Sequence, residues 1–126
     1  MIFQGHLDMI HGEKEKVSLE PYEVDHFDGG VPTVSYGKVV DFNLMLKNGA
    51  KGRMEALCLE KGKGCKIQPE DRENFLAVYV REGEIRIGEQ TVKAGESAVI
   101  KKWEKEIIIW GIGEETSKAG ICRGEL

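Results

Sequence analysis

The sequence predicts an all-β protein, a sandwich or barrel built from many short strands. Three observations predict it. Sixteen glycines divide the 126 residues into short runs, and few windows sustain the apolar i, i+3, i+4, i+7 spacing of an amphipathic helix. The chain also repeats itself, with one order of strands, glycine, hairpin and turn occurring near both ends.

Taken in order, the apolar or alternating runs are Ile2 to Ile10, Lys16 to Leu19, Val24 to Phe27, Thr33 to Tyr36, Val39 to Leu46 and Met54 to Glu60. Phe75 to Val80, Glu84 to Ile87, Gln90 to Lys93, Ser97 to Lys101 and Ile107 to Trp110 follow. Most are rich in β-branched or aromatic residues and bounded by turn formers. The best helical stretch, "QPEDREN" at Gln68 to Asn74, is too short for more than a turn.

One of these runs carries polar residues inside an apolar pattern. In "GKVVDFNLML", Gly37 to Leu46, strand alternation puts Val40, Phe42, Leu44 and Leu46 on one side. That side is expected to be buried. Val39, Asp41, Asn43 and Met45 share the other, which fits either a solvated surface or the lining of a pocket.

The internal repeat is specific in its details. "IFQGHLDMIHGEKEKVSLEPYEVDHF" sets a strand, Gly5, a strand, a charged hairpin and the turn "EPYE" (Glu20 to Glu23) in order. "VYVREGEIRIGEQTVKAGESAVI" gives a strand, Gly83, a strand, a tight hairpin and the turn "AGES" (Ala94 to Ser97). On this alignment the first hairpin is four residues longer than the second.

Composition narrows the function classes. Hydrophobic residues at 40% and charged residues at 32% describe a folded chain, with a length suited to one domain or to two small β-units sharing a core. A net charge of −4, from 18 basic and 22 acidic residues, offers nothing for nucleic acid or anionic lipid. No apolar run approaches the roughly 20 residues of a membrane span. The N-terminus lacks the pattern of a signal peptide, so the chain is read as cytoplasmic. Cys58, Cys65 and Cys122 form neither a disulfide framework nor a C-x-x-C pattern. Cys58 is expected on a strand and Cys65, in "GKGCK", on a turn.

The second repeat, with "REGE", the hairpin "IGEQ" and then "VKAGESAVI", resembles a cupin, the small double-stranded β-helix or jelly-roll barrel. Most cupin enzymes hold a metal through an H-x-H pair, a Glu and a third His. This chain departs from that pattern. Its histidines are His6, His11 and His26, the first repeat has no H-x-H, and the second has no His at all. No metal ligand and no cofactor are therefore assigned.

A closer resemblance lies in "PYEVDHFDGGVPTVSYGKVVDFNLMLKNGAKG", Pro21 to Gly52. Together with "FQGHL", the turn into F-x-G, the "DFNLM" strand and the "LKNG" turn that follows it look like the HutD/Ves family of bicupins. The resemblance implies an all-β, cupin-like fold with two β-repeats. Residues 1–50 would be the C-terminal part of the first and 51–126 the second. It also implies that the first repeat is incomplete, because family members carry further N-terminal strands with a W-x-N-G-G-G-type element and an Arg. On that reading the chain is N-terminally truncated, and a second copy is expected to complete the sheet in a homodimer or higher homo-oligomer.

For function, the resemblance implies a non-catalytic binder of a small pathway metabolite, such as urocanate or formylglutamate, acting as a regulator linked to histidine utilisation. The pocket residues it implies are Phe27 as an apolar wall, Asn43 as a hydrogen-bonding group and Asp41 as an acceptor. Two other readings stay open: a metal-dependent cupin isomerase or dioxygenase built on His6, His26 and a carboxylate, and an oligomeric β-scaffold with no ligand of its own. No Ser, His and Asp group has the motif support of a hydrolytic triad.

Overall fold

The computed structural model describes residues 1–47 and 49–126; Asn48 of the "LKNG" turn lies outside them. Among the described residues every regular element is a strand. These are β1 (Ile2–Gln4), β2 (Leu7–His11), β3 (Glu15–Leu19), β4 (Thr33–Tyr36), β5 (Val40–Asp41), β6 (Lys51–Leu59) and β7 (Gly64–Ile67). The remainder are β8 (Phe75–Glu82), β9 (Glu84–Ile87), β10 (Gln90–Lys93), β11 (Ser97–Lys101), β12 (Ile107–Gly111) and β13 (Ser117–Glu125). The chain divides into two compact units, Met1–Asn43 and Leu44–Leu126.

The second unit contains eight strands in two antiparallel sheets, ordered β11-β8-β13-β6 and β10-β9-β12-β7. This interleaving of a β6-to-β13 chain between two four-stranded sheets is the jelly roll. Period-two patterning fills it. On β8, Leu76, Val78 and Val80 turn inward with exposures of 0 to 1%, and on β9 Ile85 and Ile87 also turn inward and are buried. Ile109, Ala119, Ile121, Leu57, Leu59, Ile67, Val92 and Trp103 complete one continuous core. Each fully buried aliphatic side chain contributes about 1.5–3 kcal/mol of transfer free energy, so this interior is a packed solid rather than a ligand cavity.

The first unit has a two-stranded sheet, β1-β5, and a three-stranded sheet, β3-β2-β4. Its topology is that of the second unit from β8 onward. β2 and β3 form a hairpin as β9 and β10 do, β4 joins β2 as β12 joins β9, and β5 joins β1 as β13 joins β8. The last pair even shares an irregularity. Ile2 faces Asp41 and Gln4 faces Val40, while Val80 faces Ala119 and Glu82 faces Lys118, each with one residue skipped on the first strand. Among the described residues the first unit has no strand matching β6, β7 or β11.

The turns agree atom for atom. In the first unit the Glu20 amide donates to Glu23 Oε1 at 2.7 Å and the Glu23 amide to the Glu20 carbonyl at 3.1 Å. In the second, the Lys93 amide donates to Glu96 Oε1 at 2.8 Å and the Glu96 amide to the Lys93 carbonyl at 2.9 Å. Tyr22 (φ +70°) and Gly95 (φ +87°) take the left-handed third position that a type II turn requires. "EPYE" thus matches "KAGE", Lys93 to Glu96, and not "AGES". Fifteen residues separate Gly5 from Glu20 and ten separate Gly83 from Lys93, so the first hairpin is longer by five residues rather than four. Gly5 (φ +93°) and Gly83 (φ +78°) make the matching strand-to-strand corners.

Other expectations change. The Ile2 to Ile10 run breaks at Gly5, and neither Val24 to Phe27 nor Phe42 to Leu46 is a strand. Only Val40–Asp41 of the "GKVVDFNLML" stretch pairs in a ladder. The face assignment changes at the start of that stretch, while further on Phe42 and Leu44 are half-buried and Asp41, Asn43 and Met45 exposed as expected. Val39 packs on the core of the first unit and Asp41 sits opposite buried Ile2, whereas Val40 is exposed. Cys65 lies in β7 rather than in a turn, whereas the Gln68 to Asn74 stretch is the turn its length implies. Strands β7 and β13 were not expected at all.

Candidate functional site

The core of the first unit is small: Ile2, Met9 and Leu19, with Leu7, Val17 and Val39 packed against them. Residues directly opposite each other on paired strands point to the same side, so the registers define what surrounds this core. Asp41 is opposite Ile2, Ser35 is opposite Met9, and Thr33 is opposite His11. The Asn43 side-chain amide donates to Asp41 Oδ2 at 2.9 Å. Both are exposed. The structure therefore brings Asp41 and Asn43 together at the margin of a core face.

Phe27 sits elsewhere in the unit. Its ring stacks on the imidazole of His11, with centroids 4.4 Å apart and planes 27° from parallel. Phe27 is 52% exposed, while the His11 side chain is almost wholly buried. His11 is held at both nitrogens, by the Asp25 carboxylate at 2.6 Å from Nε2 and by the Thr33 hydroxyl at 2.8 Å from Nδ1. A buried imidazole so engaged is an anchored structural group. No sequence signal marked it, since His11, Asp25 and Thr33 converge only through the β2–β4 pairing and the chain between β3 and β4.

His6, immediately before β2, is exposed beside Asp8. It is clamped between Glu20 (Nδ1, 2.5 Å) and Asp8 (Nε2, 2.9 Å), and Ser18 donates to Asp8 at 2.5 Å. Hydrogen bonding to Glu20, then to Asp8, holds the imidazole above its usual 6.5. The bond from Ser18, then that from His6, holds Asp8 below its usual 3.8. His26 does not join this group. Among the described residues no set of three or more His, Cys, Asp or Glu side chains is arranged to hold a metal ion.

The second unit carries its charges at one end of the barrel. Arg53 and Glu55 continue the inward-facing side of β6 beyond Leu57, and Arg123 continues that of β13 beyond Ile121. Buried Arg123 gives Nε to both Glu73 oxygens (3.1 and 3.0 Å) and Nη2 to Glu73 Oε1 (2.9 Å) and to the Gln68 carbonyl. Its guanidinium lies 5.0 Å from the centre of the Trp103 ring, within cation–π range. Arg53 bonds Glu55 at 2.6 Å and Glu70 at 2.8 Å. Burial works to raise the Glu73 carboxyl, but Arg123, the Glu70 amide and Arg53 outweigh it and leave it below its usual 4.5. Beside this network runs an open cleft of about 630 Å³, lined by Lys51, Arg53, Glu70, Asp71, Arg72 and Glu125 among others. The network closes the barrel end with paired charges.

The HutD family model matches residues 1–110 of the chain. The chain belongs to the HutD family. This HutD-family chain also has structural likenesses. It is similar to quercetin 2,3-dioxygenase from Acinetobacter baumannii, with a TM-score of 0.67 at 10% identity, over 99% of this chain and 63% of that one. It is similar to YhhW from Escherichia coli as well, with a TM-score of 0.60 at 11% identity, over 97% of this chain and 68% of that one. The HutD-family chain thus spans less than two thirds of the dioxygenase. At such identities the likeness establishes the cupin fold, consistent with the jelly-roll strand order, and nothing about chemistry. No curated protein matches the chain in sequence.

Proposed function

We propose that this HutD-family chain is a non-catalytic small-molecule-binding cupin, with its ligand held on the core face of the first unit by Asp41 and Asn43 and bounded by Phe27. One observation carries the reading. The repeat pairs Asp41 with Ala119, and Asn43, beyond the β5 ladder and hydrogen-bonded to Asp41, corresponds by residue count to Ile121. Ala119 and Ile121 are sealed in the second unit's core at 0 and 1% exposure. Where one copy of the unit has aliphatic filling, the other has a hydrogen-bonded carboxylate and amide. Asp41 and Asn43 are exposed, so their acceptors are open to solvent and to a ligand that displaces it. The family resemblance supports a metabolite of histidine breakdown and a regulatory role.

Thermal-shift measurements with histidine, urocanate, formylglutamate and histamine test the reading. A ligand present at a hundred times its Kd adds about 2.7 kcal/mol to the stability of the state that binds it. At least one compound is expected to raise the melting temperature, and Asn43→Ala is expected to remove the rise. A flat response to the whole set refutes the proposal.

A further inference from the structure

We infer that the ligand of the first unit docks through an N–H donor or a small cationic group, and that Ser35 is a third residue of its site. The inference rests on the proposed binding face and specifies what that face recognises. Register gives Ser35 its place. Asp8 faces Tyr36 and Met9 faces Ser35 in the first unit, as Arg86 faces Trp110 and Ile87 faces Ile109 in the second. Ser35 is thus the counterpart of Ile109, which is 0% exposed at the centre of the jelly-roll core. Three inward core positions of the second unit, Ile109, Ala119 and Ile121, are polar in the first: Ser35, Asp41 and Asn43. Ser35 flanks Met9 and Asp41 flanks Ile2, and Met9 and Ile2 belong to one core cluster. The two polar groups therefore border the same apolar floor from different sheets.

The chemistry of these groups is one-sided. An ionised Asp41 accepts only, and one of its oxygens already takes the Asn43 amide, which leaves the other oxygen, the Asn43 carbonyl and the Ser35 hydroxyl as acceptors. Among the described residues of β1 to β5 the other titratable groups on this side are His11, whose two nitrogens are committed to Asp25 and Thr33, and Glu15 opposite it, a further acceptor when ionised. No Lys or Arg occupies an inward position of β1 to β5; Lys16 alternates to the side opposite Val17, which packs on the core. An incoming carboxylate would meet the Asp41 charge with no cation to offset it. An ammonium, amidinium or imidazole N–H would meet two to three acceptors above an apolar floor.

The test is calorimetric or NMR titration of the intact chain with two probes. Histamine presents an ammonium and an imidazole without a carboxylate, and formylglutamate presents two carboxylates. Histamine is expected to bind. Asp41→Asn should weaken it by about ten- to a hundredfold, as removal of a charged hydrogen-bond acceptor does, and Ser35→Ala by roughly three- to tenfold. Both residues are exposed, so the variants keep the fold, and circular dichroism checks it. Binding of formylglutamate in preference to histamine overturns the donor assignment and leaves the binding face standing. Histamine binding that is indifferent to Asp41→Asn and Ser35→Ala overturns the placement. No binding by either probe or by the rest of the metabolite set overturns both.

Discussion

Glu73→Gln isolates the pair that closes the second unit. In the folded protein the Glu73 side chain is 11% exposed and the Arg123 side chain 6%. Three contacts at 2.9 to 3.1 Å join them, and the Glu70 amide adds a fourth bond to Glu73 at 3.0 Å. A Gln of the same shape keeps one acceptor and removes the charge. Arg123 is then left buried with the Gln68 carbonyl, the Trp103 ring and a Glu55 oxygen 3.8 Å away. Removing one partner of a buried pair costs about 3–5 kcal/mol. The residual attraction of Glu55 places this case near the lower end, about 3 kcal/mol. Urea denaturation should register it as a fall in midpoint of roughly 1 to 3 M, for slopes of about 1–3 kcal/mol/M.

The pH dependence of that gap has a definite sign. The folded carboxyl is held below its usual 4.5, so its contribution is complete above that value and disappears as pH falls through the folded pKa. Wild type and Glu73→Gln should differ fully at neutral pH and converge in acid, where wild-type Glu73 is itself protonated. A midpoint unchanged at neutral pH, or a gap that persists unaltered in acid, would refute the assignment of Arg123–Glu73 as the closure of the barrel.

Gly83→Ala tests the shared corner. The added Cβ would lie 2.5 Å from Ser117 Oγ and 2.7 Å from its Cα, at a φ of +78°. Left-handed backbone costs about 1–2 kcal/mol for a side chain with a Cβ and overpacking about 1–3 kcal/mol, so a loss of roughly 2–5 kcal/mol is expected by denaturation; a loss below 1 kcal/mol would contradict the corner geometry. His6 supplies the opposite pH sign. Its folded pKa is raised, so its contribution is present below 6.5 and is lost as pH rises through the folded value. NMR titration should show His6 above its usual value in wild type and displaced downward in Glu20→Gln. An unchanged titration in that variant would remove Glu20 as the main cause.

Much of this fold is legible in the sequence because short amphipathic strands alternate strictly. β8 and β9 place their inward aliphatic residues two apart and are punctuated by Gly83 and Gly88, so both existence and facing follow from pattern. β13 does not announce itself. "SKAGICRGE" is buried along nearly all its length and contains Gly120 and Gly124, so it has no alternation and little β-propensity. The Gly124 hydrogen is there because a Cβ would overlap the Lys51 carbonyl of the neighbouring strand. "GKVVDFNLML" misleads for a related reason. Val39 and Val40 are both apolar, and the inward side is fixed not by either of them but by Ile2, some forty positions away in the chain. The Asp41 and Asn43 pair is visible as polar residues in an apolar run, whereas Ser35 in "TVSY" looks like any exposed strand serine.

The internal repeat supplies a control that a lone domain lacks. Exposed polar residues on a sheet ordinarily mean solvent, and Ser35, Asp41 and Asn43 taken singly would pass as such. Their counterparts Ile109, Ala119 and Ile121 show what the same registers carry when the unit only has to fold: aliphatic side chains at 0 to 1% exposure. Other positions of the first unit keep that pattern. Ile2 stands where Val80 does, Met9 where Ile87 does, and the corner glycine and the Glu-capped turn are retained with their hydrogen bonds. General loosening of the first unit would have eroded these features along with the three core positions. The departures, Ser35, Asp41 and Asn43 around one apolar floor and Thr33 where the second unit has Ile107, all run toward acceptors and none toward cations, which is what the proposed binding face requires.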